Sequence, residues 1–209
     1  MFYEIENGHG LPHNPFQSCI VPRPIGWIST LSADGVPNLA PFSFFNGALS
    51  HPPMVVFTSS APAEGGRKTK DTLVNIEETG EFVTNMATEA LAEEMNLTSA
   101  YVGPEVDEFD LANLDTLPSI LVKPPRVAAS PIHMECEYFK TVELPGSPDG
   151  GRAALVVGTV LGIHIADEVL TDGRIDLGKV RPIGRLGYMD YTVVDTIFPM
   201  PRPKPVGGD

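Results

Sequence analysis

Lys70-Asp71-Thr72 sits where a loop enters a predicted helix, and the basic pair Arg67-Lys68 precedes it. The first N–H groups of a helix lack intrahelical partners and its N-terminal end carries partial positive charge, so such a start attracts phosphate. Lys70 adds a full charge and Thr72 a hydroxyl donor. A solvated basic loop with a helix cap accounts for the same residues. Their place after a strand, in a chain of net charge −13, favours the ligand reading. No lysine or arginine occurs in residues 24–66 or 71–122, so Arg23 and this cluster are the only fixed positive charges there.

A second group of polar residues, Ser29, Thr30, Ser43, Asn46, Ser59 and Ser60, falls in or at the ends of neighbouring predicted strands. A flat polar heterocycle needs donors at its edge and apolar contacts on its face, and phenylalanines, Phe44 among them, are interleaved here. Strand-end Ser, Thr and Asn also satisfy turns, the commoner role for any one of them. Trp27 either flanks such a ring or fills the core, and taken singly core filling is the commoner outcome. The five histidines show no metal-ligand spacing, and Gly10 and Pro12 break any helical face shared by His9 and His13. Glu135 and Glu137 flank Cys136 on a predicted strand, so both point away from it, toward solvent or a subunit contact. No serine sits in a nucleophile elbow, which leaves hydrolase chemistry without a foothold. There is neither a G-x-G-x-x-G after a strand nor a Walker A loop.

Strands must position these groups. Residues 26–32 and 38–46 read as two strands around the turn Ala33-Asp34-Gly35-Val36-Pro37, in which Asp-Gly supplies positive φ. His51-Pro52-Pro53 turns the chain into a strand over 54–59. A short helix over 73–78, capped by Thr69 or Asp71, ends at Gly80, and a strand follows at 81–86. Residues 87–96 have the best helix-forming composition, with Thr88 as N-cap and Leu91 and Met95 as the buried edge. Two long strands, 132–144 and 153–165, flank a Pro/Gly loop, and Gly158 or Gly162 bends the second. Six or more strands joined mostly by turns, with one convincing helix, predict an antiparallel β-barrel with appended helices.

Length and composition suit one soluble domain with a substantial core: 209 residues, 42% hydrophobic. Residues 1–17 form a loose arm, 18–195 the domain, and 196–209 a proline-rich tail. The acidic, Pro- and Gly-bearing stretch 99–125 is an excursion, a candidate lid or dimer contact. The acidic balance excludes nucleic acid and anionic membranes as general partners. Two distant cysteines fit reduced thiols. The N-terminus lacks a secretory pattern and no apolar run reaches a membrane span, so the expected location is the cytoplasm.

Several motifs occur in a fixed order: Pro22-Arg23-Pro24-Ile25-Gly26-Trp27-Ile28-Ser29-Thr30, then residues 38–46 (NLAPFSFFN), His51-Pro52-Pro53, Lys70-Asp71-Thr72 with Asn75, Glu81-Phe82-Val83 with Asn85, and finally Arg185-Leu186-Gly187 and Tyr191. Together they resemble the flavin reductase-like, FMN-binding split-barrel family across roughly residues 18–194. The resemblance implies a mainly β, split antiparallel barrel, a homodimer, with FMN in a cleft near the subunit interface. It implies that Ser29, Thr30, Ser43, Phe44 and Asn46 line the flavin and its ribityl chain, with Trp27 a further candidate contact. Arg23, Ser59 and Ser60 assist, Lys70 and Thr72 meet the phosphate, and Arg185 and Tyr191 close the site from the partner subunit. One departure lies at Gly151-Arg152-Ala153-Ala154, where many flavin reductases carry an aspartate–histidine pair beside the nicotinamide. The implied activity is hydride transfer from NADH or NADPH to flavin, which needs ring stacking more than a general base. Two alternatives stand beside it: an FMN-holding electron carrier fed by a redox partner protein docked on the acidic surface, and a barrel that serves as an interaction module without cofactor.

Overall fold

The computed structural model describes residues 1–61, 68–146 and 150–203, so the flexible-loop reading of 62–66, Arg67 of the basic cluster, the tip of the 145–151 hairpin and the end of the tail lie outside the described residues. In chain order the first six strands are β1 (Arg23–Pro24), β2 (Gly26–Leu31), β3 (Pro37–Phe42), β4 (Phe45–Ser50), β5 (Pro53–Ser60) and β6 (Glu81–Met86). Helix α1 (Asp71–Thr79) precedes β6, and α2 (Ala92–Leu97) and α3 (Glu108–Leu111) follow it. A ribbon of β7 (Thr116–Leu117) and β8 (Arg126–Val127) leads into the long strands β9 (Ile132–Leu144) and β10 (Ala153–Ile165). A second ribbon, β11 (Leu170–Thr171) and β12 (Arg174–Ile175), then α4 (Leu177–Val180), β13 (Ile183–Arg185) and β14 (Tyr191–Val193) complete the chain.

Seven strands form one antiparallel sheet in the order β3-β2-β6-β9-β10-β5-β4. Its two edges, β3 and β4, are consecutive in sequence and separated only by Ser43 and Phe44. A sheet whose edges are that close has curled into a barrel split between them. The interior is apolar: Phe42 and Phe57 lie 4.9 Å apart by ring centroid and Phe57 and Phe82 5.8 Å, with Leu73 and Ile76 of α1 closing one mouth. Gly80 ends α1 at φ 77°, a left-handed position that favours glycine. The bend expected in β10 is present, since its register against β9 shifts at Gly158 and again before Gly162. A Cβ on Gly158 would lie 2.3 Å from the Phe82 ring, so glycine here lets the barrel close on that phenylalanine.

A second apolar cluster lies outside the barrel, where Trp27 and Leu39 meet Leu91, Met95 and Phe109. A small sheet, β1-β13-β14, packs beside it. Among the described residues no helix is long and apolar enough to cross a membrane.

Three expectations are corrected. The strand predicted over 38–46 is two strands, because the chain turns at Ser43-Phe44 from one edge of the split to the other. The helix predicted over 87–96 begins with a 3-10 turn and becomes α-helical only at Ala92. Its N-terminal part is captured by the small sheet: Thr88 bridges Pro182, Ile183 N–H donates to the Ala87 carbonyl and Glu89 N–H to that of Arg181. Thr88 accordingly makes no side-chain cap. Glu135 does point away from Cys136, yet it is fully buried rather than solvated or at a subunit contact. The excursion folds over it, and Ile120, Leu121 and Val122 donate their N–H groups to its carboxylate at 2.8, 2.5 and 3.1 Å. His164 completes the set at 2.5 Å.

Candidate functional site

A cavity of about 340 Å³ opens where four pieces of chain meet. Strand β3 contributes Asn38, Ala40 and Pro41. The residue after β5, Ala61, and the start of α1, residues 69–72, form a second side. Residues 98–103 and Glu108 of α3, both from or near the excursion, form the third. Extended backbone at Lys70 (φ −73°, ψ 144°) turns directly into α1 with no side-chain cap, which leaves the helix start facing the cavity.

The Lys70 ammonium lies 5.5 Å from the Phe42 ring centroid and 5.4 Å from that of Tyr101, a cation held between two aromatic faces. Burial pushes its pKa down, while Asp71 and Glu108 pull the other way. Across the cavity, Glu108 is buried and accepts from Asn38 Nδ2 at 2.9 and 3.0 Å and from Leu39 N–H at 2.9 Å. Burial raises its pKa, and the Leu39 and Asn38 donors oppose that rise. Thr72 donates its hydroxyl proton to Asn38 Oδ1 at 2.7 Å, and Thr30 donates to the same oxygen at 3.3 Å while accepting from Asn75 Nδ2 at 3.0 Å. The wall is thus one buried network that joins α3, β3, α1 and β2.

The sequence-predicted residues divide into three groups. Lys70 and Thr72 line the cavity. Ser59 is buried, two residues before Ala61, and its hydroxyl has no partner among the described residues, whereas Ser60 is exposed. Trp27, Ser29 and Thr30 have fully buried side chains and are not among the residues that line this cavity. Each is committed elsewhere, for a stated reason. Trp27 Nε1–H donates to Thr98 Oγ1 at 2.9 Å and so fixes a cavity residue from behind. Ser29 donates to the Pro125 carbonyl at 2.6 Å, which ties down the excursion, and Thr30 braces Asn38.

The third group gathers away from the cavity, around the small sheet. Arg23 pairs in register with Arg185, and Arg185 with Tyr191. The buried Arg23 guanidinium donates to the carbonyls of Gln17, Ile20 and Leu186 and lies 5.5 Å from the Phe44 ring. Arg185 stacks on Tyr191 at 4.4 Å. Ser43 and exposed Asn46 flank Phe44 and Phe45 at the split, with Asn46 pointing to the outside of the sheet. Sequence reasoning missed Glu108, Tyr101 and Thr98. The only signal for Glu108 was its place in an acidic helical turn, and its partner Asn38 lies 70 residues earlier. At the departure noted above, Arg152 bridges Glu77 of α1 and Glu143 of β9.

A curled antiparallel sheet, split between two consecutive strands and carrying a lysine-bearing helix start at a cavity, defines a split-barrel protein. The chain belongs to the family of the flavin reductase like domain, which it matches over residues 18–192. It is 39% identical to an uncharacterized protein of Aquifex aeolicus over 82% of this chain and 84% of that one. Among solved structures, nitrilotriacetate monooxygenase component B of Bacillus cereus superposes with a TM-score of 0.81 at 30% identity, covering 92% of this chain and 100% of the other. The 2-nitrobenzoate 2-nitroreductase NbaA of Pseudomonas fluorescens gives 0.78 at 28% identity, with 92% of each chain covered.

Proposed function

We propose that this chain binds FMN at the cavity and acts as a flavin oxidoreductase that takes reducing equivalents from NADH or NADPH. One observation carries the reading: a lysine and the start of a nine-residue helix line the same cavity of an otherwise acidic protein. The residues present fit the group. Lys70 and the α1 start suit a phosphomonoester, and the buried Ser59 hydroxyl, two residues before the lining residue Ala61, has no hydrogen-bond partner among the described residues. Ala40, Pro41 and Ala61 offer an apolar wall to a ring face. Bound FMN would supply the two-electron acceptor chemistry. The chain itself anchors, orients and excludes water, through Lys70 at the charged end and Thr98, fixed by Trp27, on the excursion side.

The test is direct. Purified protein with FMN and either nicotinamide should oxidise the nicotinamide, followed by its absorbance. Lys70→Ala should weaken FMN by about 10- to 100-fold, the range for a charge-assisted hydrogen bond. Retained FMN reducible by dithionite but by neither nicotinamide would replace this reading with an electron carrier. A colourless protein whose melting temperature ignores FMN would replace it with an interaction module.

A homodimer belongs to the same proposal. On the outside of the sheet, Val56 pairs with Val157, Leu155 with Val142, and Leu49 with Met54, a continuous apolar face with Lys140 and Glu137 beside it. A second copy is the occupant that matches such a face, since a twofold contact lets one patch meet itself.

A further inference from the structure

The cavity wall has a direction built into it. Every contact made by the Glu108 carboxylate in this network is an acceptance, from Asn38 Nδ2 at both oxygens and from Leu39 N–H. A carboxylate has no proton to return, so the Asn38 amide must turn its NH2 group toward it. Asn38 Oδ1 then faces the opposite way and takes the proton of Thr72 at 2.7 Å. Thr30 cannot relieve this arrangement, because its oxygen already accepts from Asn75 and its own proton also goes to Asn38. A threonine has one hydroxyl proton, and that of Thr72 is directed into the wall. Thr72 lines the cavity, and its oxygen has only lone pairs left to offer a ligand there.

We infer that Glu108, acting through Asn38, makes Thr72 a hydrogen-bond acceptor that selects a hydroxyl group of the ligand, a polyol oxygen rather than an ionised phosphate. Phosphate oxygen beside Thr72 would set lone pair against lone pair, so the anionic end is left to Lys70 and the α1 start. This reverses the donor role that the sequence suggests for Thr72. The identity of the polyol rests on the flavin proposal, in which it is the ribityl chain; the polarity of Thr72 does not. Glu108 is a positioning residue in this scheme, since it acts through Asn38.

Neutron diffraction from crystals of the perdeuterated full chain decides the polarity without any ligand. The Thr72 deuteron is expected on the line to Asn38 Oδ1, and a deuteron directed into the cavity overturns the inference. Flavin fluorescence titrations with FMN and riboflavin give the second arm. Thr72→Val, which removes the hydroxyl at nearly constant shape, is expected to weaken both flavins by the same factor, about 3- to 10-fold for one neutral hydrogen bond, and Thr72→Ser to restore both. Lys70→Ala is expected to weaken FMN and spare riboflavin. Glu108→Gln sets an amide against Asn38 and Leu39, and is expected to weaken both flavins as Thr72→Val does. A Thr72→Val loss confined to FMN would place Thr72 on the phosphate, and unchanged affinities in Glu108→Gln would break the relay; either result overturns the inference. If the unaltered protein binds neither flavin, the flavin proposal falls, and the deuteron position alone then supports or overturns the polarity.

Discussion

A carboxylate removed from water is stable only if its lone pairs are filled, and Glu135 has them filled by three consecutive amides and His164. Burial, the largest influence, pushes its pKa up, but His164 and the amides together hold it below the usual carboxylate range. Its neighbour His133, which donates to the Val127 carbonyl, is pushed by burial down to about 4. Both groups have folded-state values below their unfolded ones, so the unfolded chain binds more protons and acid destabilises the fold. The histidine's share is present above its ordinary 6.5 and is lost as pH falls toward 4. The Glu135 share is present above the ordinary carboxylate value of 4.5 and is lost as pH falls through its depressed folded value. Melting curves from pH 7.5 to 3 should therefore fall steadily, with a flatter acid limb in Glu135→Gln. Glu135→Ala should cost about 2–4 kcal/mol at neutral pH by stranding three amides, measured by urea denaturation. Strand alternation in the sequence places Glu135 opposite Cys136, which the fold bears out. It holds no record that residues 120–122 return to cover that face. Lys70 was legible for the converse reason: its chemistry is shared with its immediate neighbours and the helix they begin.

At the scale of elements, the long strands were the easiest to read, because a 13-residue run without helical period leaves little alternative. The β9 and β10 boundaries match the expected ones. The stretch 87–96 misled for a physical reason: its propensity is helical, but its first residues serve the small sheet, and tertiary pairing outweighs propensity at a few tenths of a kcal/mol per residue. Gly158 shows how a strand feature becomes a packing requirement. A methyl group there meets the Phe82 ring, which itself is fully buried against Phe57. Gly158→Ala should destabilise by about 1–3 kcal/mol through overpacking. Phe82→Leu alone should also destabilise, by leaving space. The double variant is expected to lose less than the two losses added, because the smaller side chain admits the methyl group. Strict additivity in urea melts would show that the close approach is not what requires glycine at this position.

At the scale of the whole molecule, an antiparallel barrel followed from counting strands and turns and its split from the family resemblance, whereas the face it presents outward followed only from the register. The order β9-β10-β5-β4 sets Val142, Leu155, Val157, Val56, Met54 and Leu49 side by side, though they come from four separate stretches of chain. The homodimer proposed through this face would have a particular electrostatic signature. Each copy carries net charge −13, so association brings like charges together over the molecule as a whole while the contact itself is apolar. Added salt screens the long-range repulsion and strengthens burial of the apolar contact. Light scattering coupled to size exclusion should report twice the chain mass, with dimer dissociation suppressed between about 0.02 and 0.2 M salt, where the Debye length shortens from roughly 20 to 7 Å. Val157→Lys, at the centre of the face, should give a folded monomer with an unchanged circular dichroism spectrum. The monomer should also hold FMN less tightly, because the family resemblance has Arg185 and Tyr191 closing the cleft across the interface. A Val157→Lys protein that remains dimeric would move the interface to another surface, and a monomer with full FMN affinity would make the cavity complete within one chain.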